Sequence, residues 1–138
     1  MQARHKHLFQ IEFPEDWTFY ADEHGGGLVS PCRKAVLHFY AEAVHDAAEL
    51  PNLSRMLAGF LTQHHRPVAT DDLRQIKLPG ALAFSWQFLD SLQNRAVRVW
   101  IIGNEKAWAF ANFHSPLDLE PDLRSAVDQI IADFRILA

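Results

Sequence analysis

Polar and apolar residues alternate along "HLFQIEF", setting Phe9, Ile11 and Phe13 on one side of an extended chain and Leu8, Gln10 and Glu12 on the other. This period of two marks a half-buried strand, and Pro14 ends it. "DWTFYAD" predicts a second short strand. The three glycines of "EHGGGLVSP" read as a turn, because glycine adopts positive φ at little steric cost. "KAVLHFYAEAV" then resumes the alternation, with Val36, His38 and Tyr40 against Leu37, Phe39 and Ala41. The first 45 residues therefore predict antiparallel strands in a meander.

From Leu53 the period changes. Leu53, Met56, Leu57, Phe60 and Leu61 fall at i, i+3, i+4, i+7 and i+8, which draws one apolar stripe along a helix. Asn52 is its expected N-cap. Pro67 disfavours helical geometry at Arg66, so the helix should stop near His65. "VATDDLRQIKL" and "LAFSWQFL" predict two strands separated by Pro79 and Gly80, the second with Leu82, Phe84, Trp86 and Phe88 on one face. After two hairpins, "LDLEPDLRSAVDQIIADFRIL" sets Leu123, Val127, Ile130 and Phe134 at helical spacing. Pro121 suits the first turn of that helix, and Asp118 or Glu120 together with Asp122 put negative charge at its positive end.

"NRAVRVWII" and "NEKAWAFANFH" are bulky and small in alternation. A tight turn around Asn104 and Glu105 would set Trp100 opposite Ala109, Arg98 opposite Ala111 and Ile102 opposite Ala107. Large side chains then lie over methyl groups and fill the face at native density. The other face pairs Val99 with Phe110 and Ile101 with Trp108. Carried through the looser turn "DSLQN", the same register places Phe84, Trp86 and Phe88 beside Trp100 and Ile102 on the alanine face. Both faces carry apolar residues, so both need a cover. The expected fold is α+β, an antiparallel sheet flanked by two helices in an α/β/α sandwich, with residues 1–138 forming a single domain.

The order strand, proline, tryptophan, strand in "IEFPEDWTFY", then "GGGLVSP" before the strand "AVLHFY", a central helix, a late hairpin pair and a C-terminal helix resembles the PsbP-like α/β/α sandwich superfamily. That group includes the photosystem II extrinsic subunit, a Ran-binding nuclear-import factor and bacterial chaperones for secretion effectors. The resemblance covers nearly the whole chain. It implies an accessory, partner-binding protein rather than a catalyst.

Thirteen basic and seventeen acidic side chains give a net charge of −4. The longest basic cluster is the pair Arg33 and Lys34, which leaves no phosphate-tracking footprint and argues against nucleic acid as a partner. Cys32 is the one cysteine, consistent with a reducing compartment. For a chain starting at Met1, "MQARHKHLFQIEF" lacks the apolar stretch of about 7 to 15 residues that marks a signal peptide. No run reaches the roughly 18 apolar residues of a membrane span. The expectation is a small cytoplasmic protein of bacterial type with no membrane insertion.

Eight histidines raise the question of a metal. His5 and His7 could share a strand face, but no HExxH or CxxC and no third ligand accompanies them. His64 and His65 stand about 100° apart on a helix and do not converge. No metal and no cofactor is expected. Basic neighbours Arg33 and Lys34 would favour a Cys32 thiolate, yet no positioned base lies nearby in sequence, and a small filler at a strand edge is the plainer account. Ser30, Ser85 and Ser115 sit in no GxSxG elbow. The neighbours Glu15 and Asp16, and Asp71 and Asp72, point apart and read as solvated. No catalytic residue is assigned.

Arg98 is the polar residue of most interest, because a guanidinium stacked on indole could hold an anionic or aromatic ligand. Its plainer role is to lie along the sheet with its head in water. The expected function is non-enzymatic binding of another polypeptide through an apolar groove on the sheet, with Trp86, Arg98 and Trp100 as groove residues. One alternative is a carrier or enzyme for a small hydrophobic ligand, with His38 or His114 as the polar contact. Another is a self-associating structural subunit, a homodimer through exposed aromatic residues.

Overall fold

The structure, a computed structural model, describes residues 1–5, 8–23, 25–44, 52–118 and 121–137. Strands β3 (Thr18–Ala21), β4 (Gly25–Val29), β5 (Val36–Ala43), β6 (Arg74–Leu78), β7 (Ala81–Asp90), β8 (Arg95–Gly103) and β9 (Ala107–Pro116) form an antiparallel sheet in the order β3-β4-β5-β9-β8-β7-β6. Two meanders, β3-β4-β5 and β6-β7-β8-β9, thus meet along the β5–β9 ladder. Strands β1 (Gln2–His5), β2 (Phe9–Glu12) and β10 (Arg135–Ile136) make a separate small sheet in the order β1-β2-β10.

Helix α1 (Leu53–Gln63) begins where Asn52 caps it, its side chain accepting from the Arg55 amide at 3.2 Å. It ends before His65, whose φ of 59° turns the chain away. Leu53, Leu57 and Leu61 are buried against Val97, Val99 and Ile101, the odd-numbered face of β8. Helix α2 (Pro121–Ala132) buries Val127, Ile130 and Ile131 with Trp100 and Ile102, the even-numbered face. Successive residues of a strand face opposite sides, so the helices lie on opposite faces of the large sheet. The fold is α+β, and the small sheet packs on the α2 side. There Phe9 stacks on Phe134 at 5.2 Å, and both rings meet Phe39 of the large sheet.

Across that covered face one row runs Phe39, Ala111, Trp100, Ser85, large and small in turn. The alternation expected for β8 and β9 is present, but the register differs by two residues: Trp100 faces Ala111, Ile102 faces Ala109 and Arg98 faces Phe113. Asn104 belongs to the ladder, pairing with Ala107 at 3.0 Å. Its side chain also accepts from the Lys106 and Ala107 amides, so the reversal falls on Glu105 and Lys106. A shift of two leaves every side chain on its expected face.

The β7–β8 register differs by one, and that does change faces. Asp90 closes β7 opposite Arg95 instead of opening the turn, and its carboxylate accepts from the Leu92 and Gln93 amides. The turn is therefore the four residues Ser91 to Asn94, with Asn94 at φ 55°. Phe84, Trp86 and Phe88 consequently pack on the α1 side rather than beside Trp100.

The glycines also depart from expectation. Gly25, Gly26 and Gly27 are buried within β4. They serve close approach, since a Cβ on Gly25 would collide with the Phe39 carbonyl of β5 and one on Gly27 with the Tyr20 phenol.

Candidate binding groove beside Arg98

Sequence reasoning grouped Trp86, Arg98 and Trp100. The one-residue difference at β7 separates them: Trp86 pairs with Val99 and packs toward α1, while Arg98 and Trp100 face α2. Trp100 is 1% exposed and forms the floor. Arg98 lies over it, guanidinium carbon 4.8 Å from the ring centroid, an arrangement that combines cation–π attraction with burial of the aliphatic stem. Its Nη2 donates to the Asp128 carboxylate of α2 at 2.6 Å. The other terminal nitrogen, Nη1, is buried and has no hydrogen-bond partner among the described residues. The arginine head is thus held by a helix, and it does not simply reach water.

Two cavities flank this side chain. One, about 220 Å³, is lined by Arg74, Ser85, Trp86, Gln87 and Arg98. The other, about 330 Å³, runs past Leu89, Ala96, Phe113, Ser115 and Arg124, sharing Gln87 and Arg98 as its wall. Together they make a groove between α2 and the outer strands, polar at the β6 end and apolar toward Leu89, which is 65% exposed. Arg74, Gln87 and Arg124 were missed by sequence reasoning. Only the register finds the first two, because it pairs Arg74 with Ser85 and Gln87 with Arg98.

The opposite face carries a second polar group. His38 and His114 lie on neighbouring strands on the α1 side, His38 across from Asn112 and His114 across from Val36. His38 Nε2 is 3.4 Å from Asp22 Oδ2, and its ring is 6.5 Å from that of Tyr20. Tyr40 donates to Glu42 at 2.5 Å, which holds the phenol proton and raises its pKa. His114 is pushed below 6.5, first by burial, then by the Arg95 charge, with Asp90 opposing. Helix α1 packs on β7 and β8 and reaches β9 through Phe60, 4.5 Å from Phe110.

Cys32 is exposed in the turn between β4 and β5, so it does not fill space at a strand edge. Its pKa is lowered chiefly by the Ser30 hydroxyl, 3.2 Å away, and next by the Lys34 backbone, while the Lys34 charge contributes least. Among the described residues no three His, Cys, Asp or Glu side chains are grouped to hold a metal. His5 and His7, weighed as a metal pair from the sequence and set aside, fall outside the described side chains. No helix among the described residues is long and apolar enough to cross a membrane.

The chain matches no protein-family model and no curated protein sequence. Solved structures do match. A protein from Bacteroides thetaiotaomicron VPI-5482, known from a 1.50 Å crystal structure, superposes with a TM-score of 0.69 at 15% identity. The match covers 98% of this chain and 47% of that one, so the chain spans about half the length of that neighbour. Cyanobacterial PsbP (CyanoP) from Synechocystis sp. PCC 6803, known from a solution structure, superposes with a TM-score of 0.66 at 8% identity, covering 99% of this chain and 91% of that one. At these identities the likeness concerns the fold alone, and that fold is PsbP-like.

Proposed function

We propose that this protein is a non-catalytic accessory or chaperone-like factor of the bacterial cytoplasm that engages another polypeptide through the groove beside Arg98. The observation that carries the reading is the shape of that groove. It runs from the polar cavity at Arg74, Ser85 and Gln87 to the apolar one at Leu89, Ala96 and Phe113, and it borders β6, an end strand of the sheet. An end strand offers backbone donors and acceptors, and a groove alongside offers side-chain pockets, the two requirements for holding an extended segment. Membership of the same fold group by effector chaperones and a Ran-binding factor lends support at the level of analogy.

A photoreactive benzoylphenylalanine at Leu89 should cross-link a polypeptide in host cells, whereas the same group at Glu15, away from the groove, should not. Equal labelling at both positions would end this reading.

A second reading rests on the opposite face, where His38, His114, Tyr20 and Tyr40 stand together as the polar and aromatic lining a small hydrophobic ligand would need. Native mass spectrometry separates the two: a small molecule retained on the purified protein favours the carrier. Sedimentation at several concentrations tests the third expectation, self-association.

A further inference from the structure

The chain carries a net charge of −4, yet the groove beside α2 is lined by three arginines. Arg74 stands on β6, Arg98 on β8 and Arg124 on α2. Asp128 is the carboxylate that the structure pairs with them, and it engages Nη2 of Arg98. The local charge is thus opposite in sign to that of the whole molecule. Nη1 of Arg98 is buried without an acceptor, and a buried donor in that state is one the fold gains by satisfying. Nearby, the Ser85 hydroxyl and the Gln87 amide offer neutral donors.

From this arrangement we infer that the groove selects an acidic segment of its polypeptide partner, a carboxylate side chain followed by an apolar one. The carboxylate enters the cavity between Arg74 and Arg98. A change of the Arg98 side-chain rotamer, which keeps the guanidinium planar, presents Nη1 to it, and Arg74 supplies a second charge-assisted contact. The apolar neighbour continues past the Gln87 and Arg98 wall toward Leu89 and Phe113, where Arg124 borders the cavity. The occupant is a polypeptide rather than a free anion because the second cavity, more apolar, lies directly beside the first across the shared Gln87 and Arg98 side chains. This inference rests on the groove being the partner site, as proposed above.

The test uses the whole chain and three labelled peptides of equal length, alternating leucine with glutamate, glutamine or lysine, read by fluorescence anisotropy at low and high salt. The glutamate peptide should bind at least about tenfold more tightly than the glutamine peptide, and added salt should weaken it. Arg74→Glu, at an exposed position, should abolish that preference and Arg124→Glu, which borders the second cavity, should weaken it, with circular dichroism and thermal midpoint confirming an intact fold. Equal binding of the glutamate and glutamine peptides overturns the acidic preference and leaves the groove as a polypeptide site. Failure of all three peptides to bind overturns both readings.

Discussion

Trp100 stands across the β8–β9 ladder from Ala111, the largest fully buried side chain against one of the smallest. Adding volume at the alanine must displace the indole or the backbone. Ala111→Leu is expected to lower stability by about 1 to 3 kcal/mol through overpacking, seen as an earlier midpoint in urea. Ala109→Leu acts against Ile102 instead, and should cost a similar amount. An unchanged midpoint for Ala111→Leu would contradict the register.

Gly25 and Gly27 both lack room for a methyl group, for different reasons. The obstacle at Gly25 is a backbone carbonyl of β5, which cannot move without the strand, whereas at Gly27 it is the partly exposed Tyr20 ring. Gly25→Ala should therefore destabilise more than Gly27→Ala, the latter by about 1 to 2 kcal/mol. In the double variant Tyr20→Ala with Gly27→Ala, the glycine substitution should become nearly neutral, a coupling that a double-mutant cycle measures directly.

Asp128 is half exposed while its partner Arg98 is mostly enclosed. Removing the carboxylate by Asp128→Ala leaves the guanidinium without its helix contact. The expected loss is about 1 kcal/mol once solvent screening is allowed for. Asp128→Asn should lose less, because the amide oxygen can still accept. The gap between wild type and Asp128→Ala should narrow in high salt, and thermal melts at two ionic strengths would check this.

His114 prefers to be neutral in the folded state, because burial and the Arg95 charge lower its pKa from 6.5. Below 6.5 the unfolded chain takes up a proton that the folded one resists, so the stability this histidine contributes is full above 6.5. It falls as the pH descends toward the lowered value. The difference in stability between wild type and His114→Gln should shrink over that window and then level off. In NMR titrations, Arg95→Gln should move the His114 midpoint upward. A wild-type midpoint above 6.5 would refute the assignment.

Cys32 has a lowered pKa whose main cause is the Ser30 hydroxyl. Ser30→Ala should slow alkylation of Cys32 by iodoacetamide near neutral pH, whereas Lys34→Gln, which keeps the backbone contact, should change it less. Mass spectrometry of the labelled peptide against time gives both rates.

Several elements were legible because a single periodicity fixed them. The buried set Phe9 and Ile11 of β2 with Phe13 just beyond it, the leucine stripe of α1 and the Val127 and Ile130 face of α2 all follow from spacing. Where a strand sits in a sheet covered on both sides, its own pattern is not enough. The apolar face of β7, Leu82, Phe84, Trp86 and Phe88, could meet either cover, and whether Asp90 ends a strand or begins a turn sets which. That choice scattered the expected groove trio. β1 and β10 escaped notice because "QARH" has no apolar alternation and two residues have none to show. The glycines of β4 were misread because their role is tertiary: what excludes a side chain there belongs to β3 and β5. Arg74 and Arg124 carry no local signature, and they become neighbours of Arg98 only through strand order and helix placement.

The β5–β9 ladder, where Ala43 meets Ala107 and Val36 meets His114, has a kinetic consequence. Each meander can assemble from pairings close in sequence, but joining them requires closing the long stretch that includes α1 and three strands, and that entropy must be lost before the contact returns anything. Refolding should therefore be limited by the docking of two preformed halves. Substitutions along this seam, such as Phe39→Leu, would slow the approach to the native state, while those at the outer strands would mainly hasten its loss.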